Sequence, residues 1–216
     1  MADLIFYTNP MSRGQTIRWM LEEVGQPYET EILGYGDSMK SEPYLSINPM
    51  GKVPAIKHRG KVVTEVAAIC CYLADAFPDA GLAPPPADRA DYYRWIFFTS
   101  GPVEAAFSNK VAGWEPTPER QRMFGYGNYD LAIGTLERAL QGKEYIASDR
   151  FTAADLFVGA NVNFMLAFNL LEPRPVFVDY ARRMTDRPAY ERAKEIDGKL
   201  AAEMQAAAAA QPQPAE

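Results

Sequence analysis

Ser12 is the first residue whose type and position could do chemistry, because it follows a strand-like run and a short polar turn and opens an apparent helix. A helix start offers backbone N–H groups without intrahelical partners and the positive end of the helix dipole. A hydroxyl at that place can hold an anionic group of a bound ligand, such as a thiolate. Ser12 and Gln15 also match a capping box, which would be purely structural. These residues alone leave both interpretations open.

A second candidate segment is NPMGKVPAI, residues 48–56, a turn-rich loop that runs into a strand through Val53 and Pro54. With a trans peptide bond, a proline at a strand start only removes one ladder donor. With a cis bond, the backbone N–H and C=O of Val53 would be exposed and ready to pair with an extended peptide. The sequence leaves the two isomers open.

The third segment is TEVAAI, residues 64–69, at the start of the next predicted helix. Its structural interpretation is a Thr64 cap with Glu65 favourably placed near the helix dipole. Its functional interpretation is an anion site formed by the N–H groups of Glu65 and Val66, with the Glu65 carboxylate beside it to accept an ammonium. The two features together would bind an α-amino acid head group.

The elements that must position these segments follow one another within residues 1–78. Ile17, Met20, Leu21 and Val24 recur at helical spacing and predict a helix over residues 12–25, which Gly25 ends. The remaining predictions are a strand over 3–8, a strand over 27–33, a loop with a short helix over 34–49, a hairpin over 53–65 with its turn at Arg59-Gly60, and a helix over 65–78. This order predicts a small α/β layer.

A proline-rich stretch, DAGLAPPPADR, follows and predicts a semi-rigid linker over residues 79–88. No strand-like alternation appears beyond it, so residues 89–204 predict an all-helical domain. Its helical segments are expected at 88–111, 117–141, 152–169, 175–185 and 188–204. Residues 205–216 are alanine-, glutamine- and proline-rich; the alanines can extend the last helix, and we expect a frayed tail.

Composition and charge exclude several classes of function. The 216 residues carry a net charge of -6 and a sequence pI near 5.0, which argues against nucleic acids and anionic membranes as partners. The N-terminal MADLIFYTNP has too short an apolar run for a signal peptide or a membrane span. A soluble cytoplasmic protein with small-molecule or protein partners is expected.

Only two cysteines and one histidine are present, and they limit metal and redox chemistry. Cys70 and Cys71 are adjacent in a predicted helix, where a disulfide would need non-helical backbone, and we expect them to pack in the core. His58 lies beside the predicted hairpin turn, and we expect it to be exposed. These three residues cannot supply a zinc site or a histidine-dependent triad, so no metal is expected.

The three segments, their order, the linker and the helical domain together resemble the cytosolic glutathione transferases over essentially the whole chain apart from the tail. The sequence FTAAD, residues 151–155, resembles the capping box of that family's helical domain, with Thr152 and Asp155 as its ends. The resemblance implies a thioredoxin-like N-terminal domain of order βαβαββα, followed by an all-helical glutathione-transferase domain. It also implies glutathione as co-substrate.

The resemblance assigns a catalytic role to the first turn. Ser12 falls where bacterial cysteine-type transferases and glutaredoxins have their cysteine, and where serine-type relatives have a hydroxyl near the glutathione sulfur. Tyr7, Thr8 and Asn9 lie in the same region and are alternatives, since each residue type is a thiol partner somewhere in the family. No cysteine occupies the helix start, so disulfide exchange through an enzyme sulfur is not expected.

The resemblance also assigns the glutathione contacts. Val53, before a cis-Pro54, would pair with the cysteinyl backbone of glutathione, and Lys52 could reach a carboxylate. Glu65 and Val66 would hold the γ-glutamyl end. Many relatives have serine or threonine in place of Val66, so here only the backbone contact can remain.

The electrophile should occupy an apolar pocket, for which the candidate residues are Met11, Phe107, Trp114 and Phe164. The family further implies a homodimer that meets across helices matching residues 65–77 and 89–110. The expected function is stabilisation of the glutathione thiolate for attack on a small hydrophobic electrophile. The alternatives are a non-catalytic transferase-like binding or regulatory protein and a glutathione-dependent peroxidase or reductase.

Overall fold

The computed structural model describes residues 3–36 and 38–209. This part of the chain divides into two compact units. One comprises Met1–Leu73 together with the residues from Arg187, and the other is Ala74–Asp186. The last helix thus groups with the N-terminal unit, whereas the linker at 79–88 and the domain over 89–204 remain predictions.

The N-terminal unit is built on a four-stranded sheet of order β2-β1-β3-β4. Strand β1 (Leu4–Thr8) pairs in parallel with β2 (Glu29–Ile32) and antiparallel with β3 (Ala55–His58), which pairs antiparallel with β4 (Lys61–Thr64). The helices of this layer are α1 (Gly14–Val24), α2 (Tyr44–Ile47) and α3 (Val66–Ala76). The predicted thioredoxin-like order βαβαββα is confirmed.

Helix α1 forms because its apolar residues fall on one face. Ile17, Met20, Leu21 and Val24 are all buried, at 0% to 7% exposure. Gly25 ends the helix in the left-handed conformation, and its N–H donates to the Leu21 carbonyl at 3.0 Å. The predicted end is confirmed, and the helix starts at Gly14 rather than at Ser12.

The predicted hairpin turn at Arg59-Gly60 is confirmed. Both residues have positive φ, 51° and 78°, as a two-residue turn between right-twisted strands requires. Glycine adopts such a φ without strain, which explains why one of the two positions is Gly60.

The expectation that His58 is exposed was wrong. His58 is 3% exposed, because it is the last residue of β3 and pairs with Leu4 on the same sheet face as Ile56. Its Nδ1 lies 3.0 Å from the hydroxyl of Tyr72 on α3. Burial first, and the charge of Arg59 second, lower the pKa of His58 from its ordinary value of 6.5.

The second unit is helical throughout its regular structure. It contains α4 (Ala90–Phe98), a π-helical segment (Thr99–Val103), α5 (Glu104–Val111), α6 (Tyr129–Leu140), α7 (Ala153–Ala167) and α8 (Pro175–Thr185). The prediction of a helix over 117–141 was wrong in its first half, which holds only a short 3-10 turn before α6 starts. Asn128 caps α6 by accepting a hydrogen bond from Leu131 N–H at 2.8 Å.

The predicted capping box at the start of α7 is confirmed and has a structural role. The Asp155 carboxylate accepts hydrogen bonds from Thr152 N–H at 3.0 Å, Ile146 N–H at 2.7 Å and the Tyr180 hydroxyl at 2.9 Å. Asp155 and Thr152 are both 0% exposed. One buried carboxylate therefore satisfies donors from a loop, from α7 and from α8.

The last helix, α9 (Pro188–Ala209), packs on α1 in the N-terminal unit. It includes residues 205–209, so the alanines extend the helix, while residues 210–216 of the predicted tail lie outside the described residues. None of the described helices is long and apolar enough to span a bilayer.

The buried imidazole predicts a pH-dependent loss of stability. Because the folded-state pKa of His58 lies below its unfolded value, the fold favours the neutral ring. Stability is therefore complete above about pH 6.5 and falls as the pH drops toward the folded pKa, by at most about 1.4 kcal/mol per pH unit for one proton. Urea unfolding between pH 7.5 and 5.5 measures this slope, and His58→Phe should flatten it. An equal slope in the variant would assign the effect to other groups.

Candidate functional site

Three candidate segments leave the sheet at the same end. In the strand register, Tyr7 pairs with Ala55 and Ala55 pairs with Thr64. The turn after β1, the loop before β3 and the start of α3 are therefore neighbours at strand spacings of roughly 5 Å. The sheet register brings the surroundings of Ser12, Val53 and Glu65 together.

The turn before α1 uses the Ser12 hydroxyl twice. Ser12 Oγ donates to the Asn9 carbonyl at 2.7 Å and accepts from Gly14 N–H at 2.9 Å. The Gln15 side chain donates to the Pro10 carbonyl at 2.7 Å. The capping-box interpretation was therefore wrong for Gln15, because the Gln15 side chain bonds to the Pro10 carbonyl and not to the backbone of Ser12. The Ser12 side chain is half-buried.

Thr8 and Asn9 are structural parts of this turn. Both are 0% exposed. Asn9 donates from Nδ2 to the Leu33 carbonyl at 2.8 Å and accepts from Met11 N–H at 3.0 Å, so both ends of its amide are engaged. A Cβ at Gly14 would lie 2.0 Å from Thr8 Oγ1, which explains glycine at the first helical position.

Tyr7 lies on the other face of β1. Strand alternation places it opposite Phe6, whose ring contacts the Arg18 guanidinium of α1 at 4.9 Å. The Tyr7 ring packs against Tyr44, with centroids 5.7 Å apart. Burial first, and the charge of Glu31 second, raise the pKa of Tyr7 above its ordinary value of 10.0, so its phenol stays protonated at neutral pH.

Side-chain hydrogen bonds to the backbone hold the loop that carries Val53. The Lys52 carbonyl accepts hydrogen bonds from the Tyr44 hydroxyl at 2.5 Å and from Asn48 Nδ2 at 2.8 Å. The Val53-Pro54 peptide bond is cis. Within the described part of the chain, the N–H and C=O of Val53 have no hydrogen-bond partner. The Lys52 side chain is exposed.

Glu65 has an unusual backbone conformation at the start of α3. Its φ is 67°, in the left-handed region that residues with a Cβ seldom adopt. Such residues cluster at binding and active sites because the surrounding structure must hold them there. The Glu65 carbonyl accepts from Ile69 N–H at 2.9 Å, while the N–H groups of Glu65 and Val66 have no partner among the described residues. The Glu65 side chain is exposed.

The residues predicted to line an electrophile pocket are only partly assembled within one unit. The rings of Phe107 and Phe164 meet edge to face with centroids 6.2 Å apart. Trp114 packs on Phe124 instead, at 5.1 Å, and is 42% exposed. Met11 belongs to the N-terminal unit and is 49% exposed.

The sequence analysis missed the residues that position the loop at 48–53. Asn48 is the main one, since it also accepts from Met50 N–H at 3.1 Å, and this Asx turn is a signal that the Asn-Pro-Met-Gly run carries. Lys40 donates to the carbonyls of Met50 and Gly51 at 3.1 and 2.7 Å, a contact between loops that no local pattern reveals. No group of three His, Cys, Asp or Glu side chains among residues 3–36 and 38–209 is arranged to hold a metal ion.

Comparisons with known proteins agree with this geometry. The family profile described as "Glutathione S-transferase, N-terminal domain" matches residues 11–76. Glutathione S-transferase 1 of Schizosaccharomyces pombe is 31% identical over 158 residues, which cover 67% of this chain and 68% of that protein.

Solved structures show the same fold. A glutathione transferase from Methylococcus capsulatus is 26% identical with a TM-score of 0.74, over 91% of this chain and 99% of that one. A glutathione transferase from Phanerochaete chrysosporium, solved in complex with oxidized glutathione, shares the fold at 24% identity and a TM-score of 0.73, over 92% of this chain and 97% of that one. Its sequence relatives, its N-terminal profile match and its fold show that this chain belongs to the glutathione S-transferase family.

Proposed function

We propose that this protein binds glutathione, stabilises its thiolate and directs the thiolate to a small hydrophobic electrophile. The observation that carries the proposal is the register that pairs Tyr7 with Ala55 and Ala55 with Thr64. It supports a single receptor formed by the turn of Ser12, the backbone of Val53 and the start of α3. The receptor would match a tripeptide with a charged head group, an extended backbone and a thiol.

The γ-glutamyl end of glutathione is proposed to bind at α3. The N–H groups of Glu65 and Val66, which have no partner in the described part of the chain, suit its carboxylate, and the helix dipole adds about 0.3–1 kcal/mol. The exposed Glu65 carboxylate suits its ammonium. Val66 carries no hydroxyl, so the contact there would be through the backbone alone, and Lys52 would reach the other carboxylate of the tripeptide.

The cysteinyl part is proposed to pair with Val53 as a short strand would. The N–H and C=O of Val53 have no partner among residues 3–36 and 38–209. They can therefore form hydrogen bonds with a peptide backbone without breaking a hydrogen bond of the fold. Tyr44 and Asn48 hold the neighbouring carbonyl of Lys52 and thereby fix the direction of this edge.

The thiolate is proposed to form beside Ser12. A free thiol with a pKa of about 8.5 is only about 3% ionised at pH 7, and a decrease of about two pKa units corresponds to about 2.7 kcal/mol. One hydrogen bond to the charged sulfur, about 1.5–3 kcal/mol, together with the helix start is sufficient. The hydroxyl would turn its proton from the Asn9 carbonyl to the sulfur while it keeps the bond from Gly14 N–H.

Two reactions are compatible with this activated sulfur. In conjugation, the thiolate forms a bond to an electrophilic carbon and the leaving group departs with its electron pair. In peroxide reduction, the thiolate attacks the outer oxygen of a hydroperoxide, an alcohol leaves, and a second glutathione converts the sulfenic acid to the disulfide with release of water. The Phe107 and Phe164 ring pair supports an apolar electrophile, with Trp114 and Met11 as further proposed contacts.

A second candidate function is non-catalytic glutathione binding. It is favoured by the engagement of the Ser12 proton with the Asn9 carbonyl and by valine at position 66. In that case the protein would bind glutathione with an unshifted thiol pKa.

A cytoplasmic homodimer completes the proposal and rests mainly on the family. The family's interface includes the helix that corresponds to α4. Tyr93 and Phe97 on α4 are 39% and 62% exposed, and their rings are 6.4 Å apart. Exposed neighbouring rings of this kind support a contact surface.

The first prediction of the proposed function concerns Ser12→Ala. The variant should return the pKa of bound glutathione toward about 8.5 and lower turnover by about tenfold to a hundredfold, because one hydrogen bond to the thiolate is lost. Thiolate absorbance measured across pH, together with glutathione affinity by calorimetry, separates activation from binding. Affinity should change little.

Tyr7→Phe is the matched control, since it removes the competing phenol from the other face of β1. It should leave the thiol pKa unchanged. A depressed pKa that survives in Ser12→Ala and is lost in Tyr7→Phe would overturn the assignment of Ser12. Bound glutathione with an unshifted pKa in the wild type would select the non-catalytic function.

The second prediction concerns Glu65→Gln, which keeps the shape and removes the charge. The dissociation constant of glutathione should rise by about tenfold or more, because a hydrogen bond between charged groups contributes about 1.5–3 kcal/mol. Glu29→Gln, at an exposed position on β2, is the control and should bind normally. Equal affinity in wild type and Glu65→Gln, measured by calorimetry, would exclude an ammonium contact at Glu65.

A further inference from the structure

A groove of about 210 Å³ lies between α1 and α9 within the N-terminal unit and shares only Met11 with the proposed electrophile contacts. Its α1 side includes Met11, Gln15 and Trp19, and its α9 side includes Tyr190, Asp197 and Gly198. None of the proposed glutathione contacts at Val53, Glu65 or Val66 lines it.

Asp197, at the polar end of the groove, forms an ion pair with the buried Arg18 behind it. Asp197 is 4% exposed, and its Oδ1 accepts from Arg18 Nε at 3.1 Å. Across the described ranges, Oδ2 of Asp197 accepts no hydrogen bond. Arg18 Nη2 is buried without a partner, and in a guanidinium group Nε and Nη2 donate along the same edge. One acceptor at the groove, Asp197 Oδ2, is therefore left without a partner, while Arg18 Nη2 lies behind the groove wall.

A hydroxyl group fits this pair better than other ligand groups. It can donate to Asp197 Oδ2, which lines the groove, and it carries no charge. An ammonium could also donate but carries a positive charge. The charges nearby also disfavour a cation, because Arg18 and Lys194 carry two positive charges against the one negative charge of Asp197.

The remainder of the groove suits an aromatic ring. The Trp19 and Tyr190 rings meet edge to face with centroids 5.0 Å apart. The α9 wall also includes three small residues, Ala193, Gly198 and Ala201. A Cβ built on Gly198 would meet no atom within 4 Å, so nothing in the packing requires glycine there. Glycine inside a helix is unfavourable relative to alanine, and here it keeps the groove open.

We propose that this groove is a binding site for a small uncharged aromatic alcohol of the phenol class. The ring lies against Trp19 and Tyr190, and the hydroxyl donates to Asp197 Oδ2. The site goes beyond the proposed glutathione chemistry and does not rest on it.

The test uses p-cresol as the probe and 4-methylanisole as the matched compound without a donor. Calorimetric titration of the full chain should give saturable p-cresol binding with a dissociation constant of roughly 1 mM or below. The binding of 4-methylanisole should be weaker by about tenfold or more, since it cannot donate to the carboxylate. Equal affinity for the two compounds would overturn the role of the polar pair.

Gly198→Leu places a side chain in the groove and should weaken p-cresol binding by at least about tenfold if burial of the ring drives it. Gly134→Leu on α6 is the control, because it also replaces a helical glycine, one whose Cβ would meet only the flexible Arg138 side chain, at an ordinary contact distance of 3.8 Å. Its p-cresol affinity should equal that of the wild type. Unchanged p-cresol binding in Gly198→Leu would overturn the proposal. The absence of saturable p-cresol binding to the wild type would also overturn it and would assign the polar pair to a bound water. Circular dichroism verifies that both variants are folded.

Discussion

The buried guanidinium of Arg18 is the interaction on which the N-terminal unit depends. Arg18 is 1% exposed and donates to Asp197, to Thr30 at 2.8 Å and to Tyr28 at 3.2 Å, while its plane lies over the Phe6 ring. A buried charge destabilises a fold unless it is paired and hydrogen-bonded. These contacts pair the charge and engage its Nε and Nη1 donors only when α1, β2 and α9 are all in place. The side chain therefore ties the last helix to the first.

The same constraint positions the proposed chemistry. Because α1 is fixed at Arg18, its first turn and the Ser12 hydroxyl are fixed relative to β1. The Asn9 side chain then holds this turn to Leu33 after β2. Val53 and Glu65 reach the same end of the sheet through the strand register. The proposed receptor would thus consist mostly of backbone groups, with which valine at position 66 is compatible.

Some of this could be predicted from the sequence because local patterns encode it. The apolar spacing in α1, the two-residue turn at Arg59-Gly60 and the capping box at Thr152 are local features, and each was confirmed. His58 could have been placed correctly as well, because it lies two residues after Ile56 on the same strand face. The prediction that His58 is exposed gave more weight to the polar character of histidine and to the adjacent turn than to that strand alternation.

Other features depend on contacts distant in the chain. The left-handed backbone of Glu65 has no signal in its residue type, since glutamate seldom adopts it. The carbonyl contacts of Lys40 and the pair of Arg18 with Asp197 join segments whose proximity the fold alone determines. Residues 117–128 include Gly125 and Gly127, the latter with a φ of 68°, which interrupt a helix, and α6 starts at the Asn128 cap.

The central claim is that glutathione is held by the backbone at one end of the sheet. Titration of ¹⁵N-labelled protein with glutathione, followed by amide chemical shifts, tests it most directly. The account predicts that the amides of Val53, Glu65 and Val66 shift together and saturate with one dissociation constant. Saturable shifts confined to other residues would contradict it.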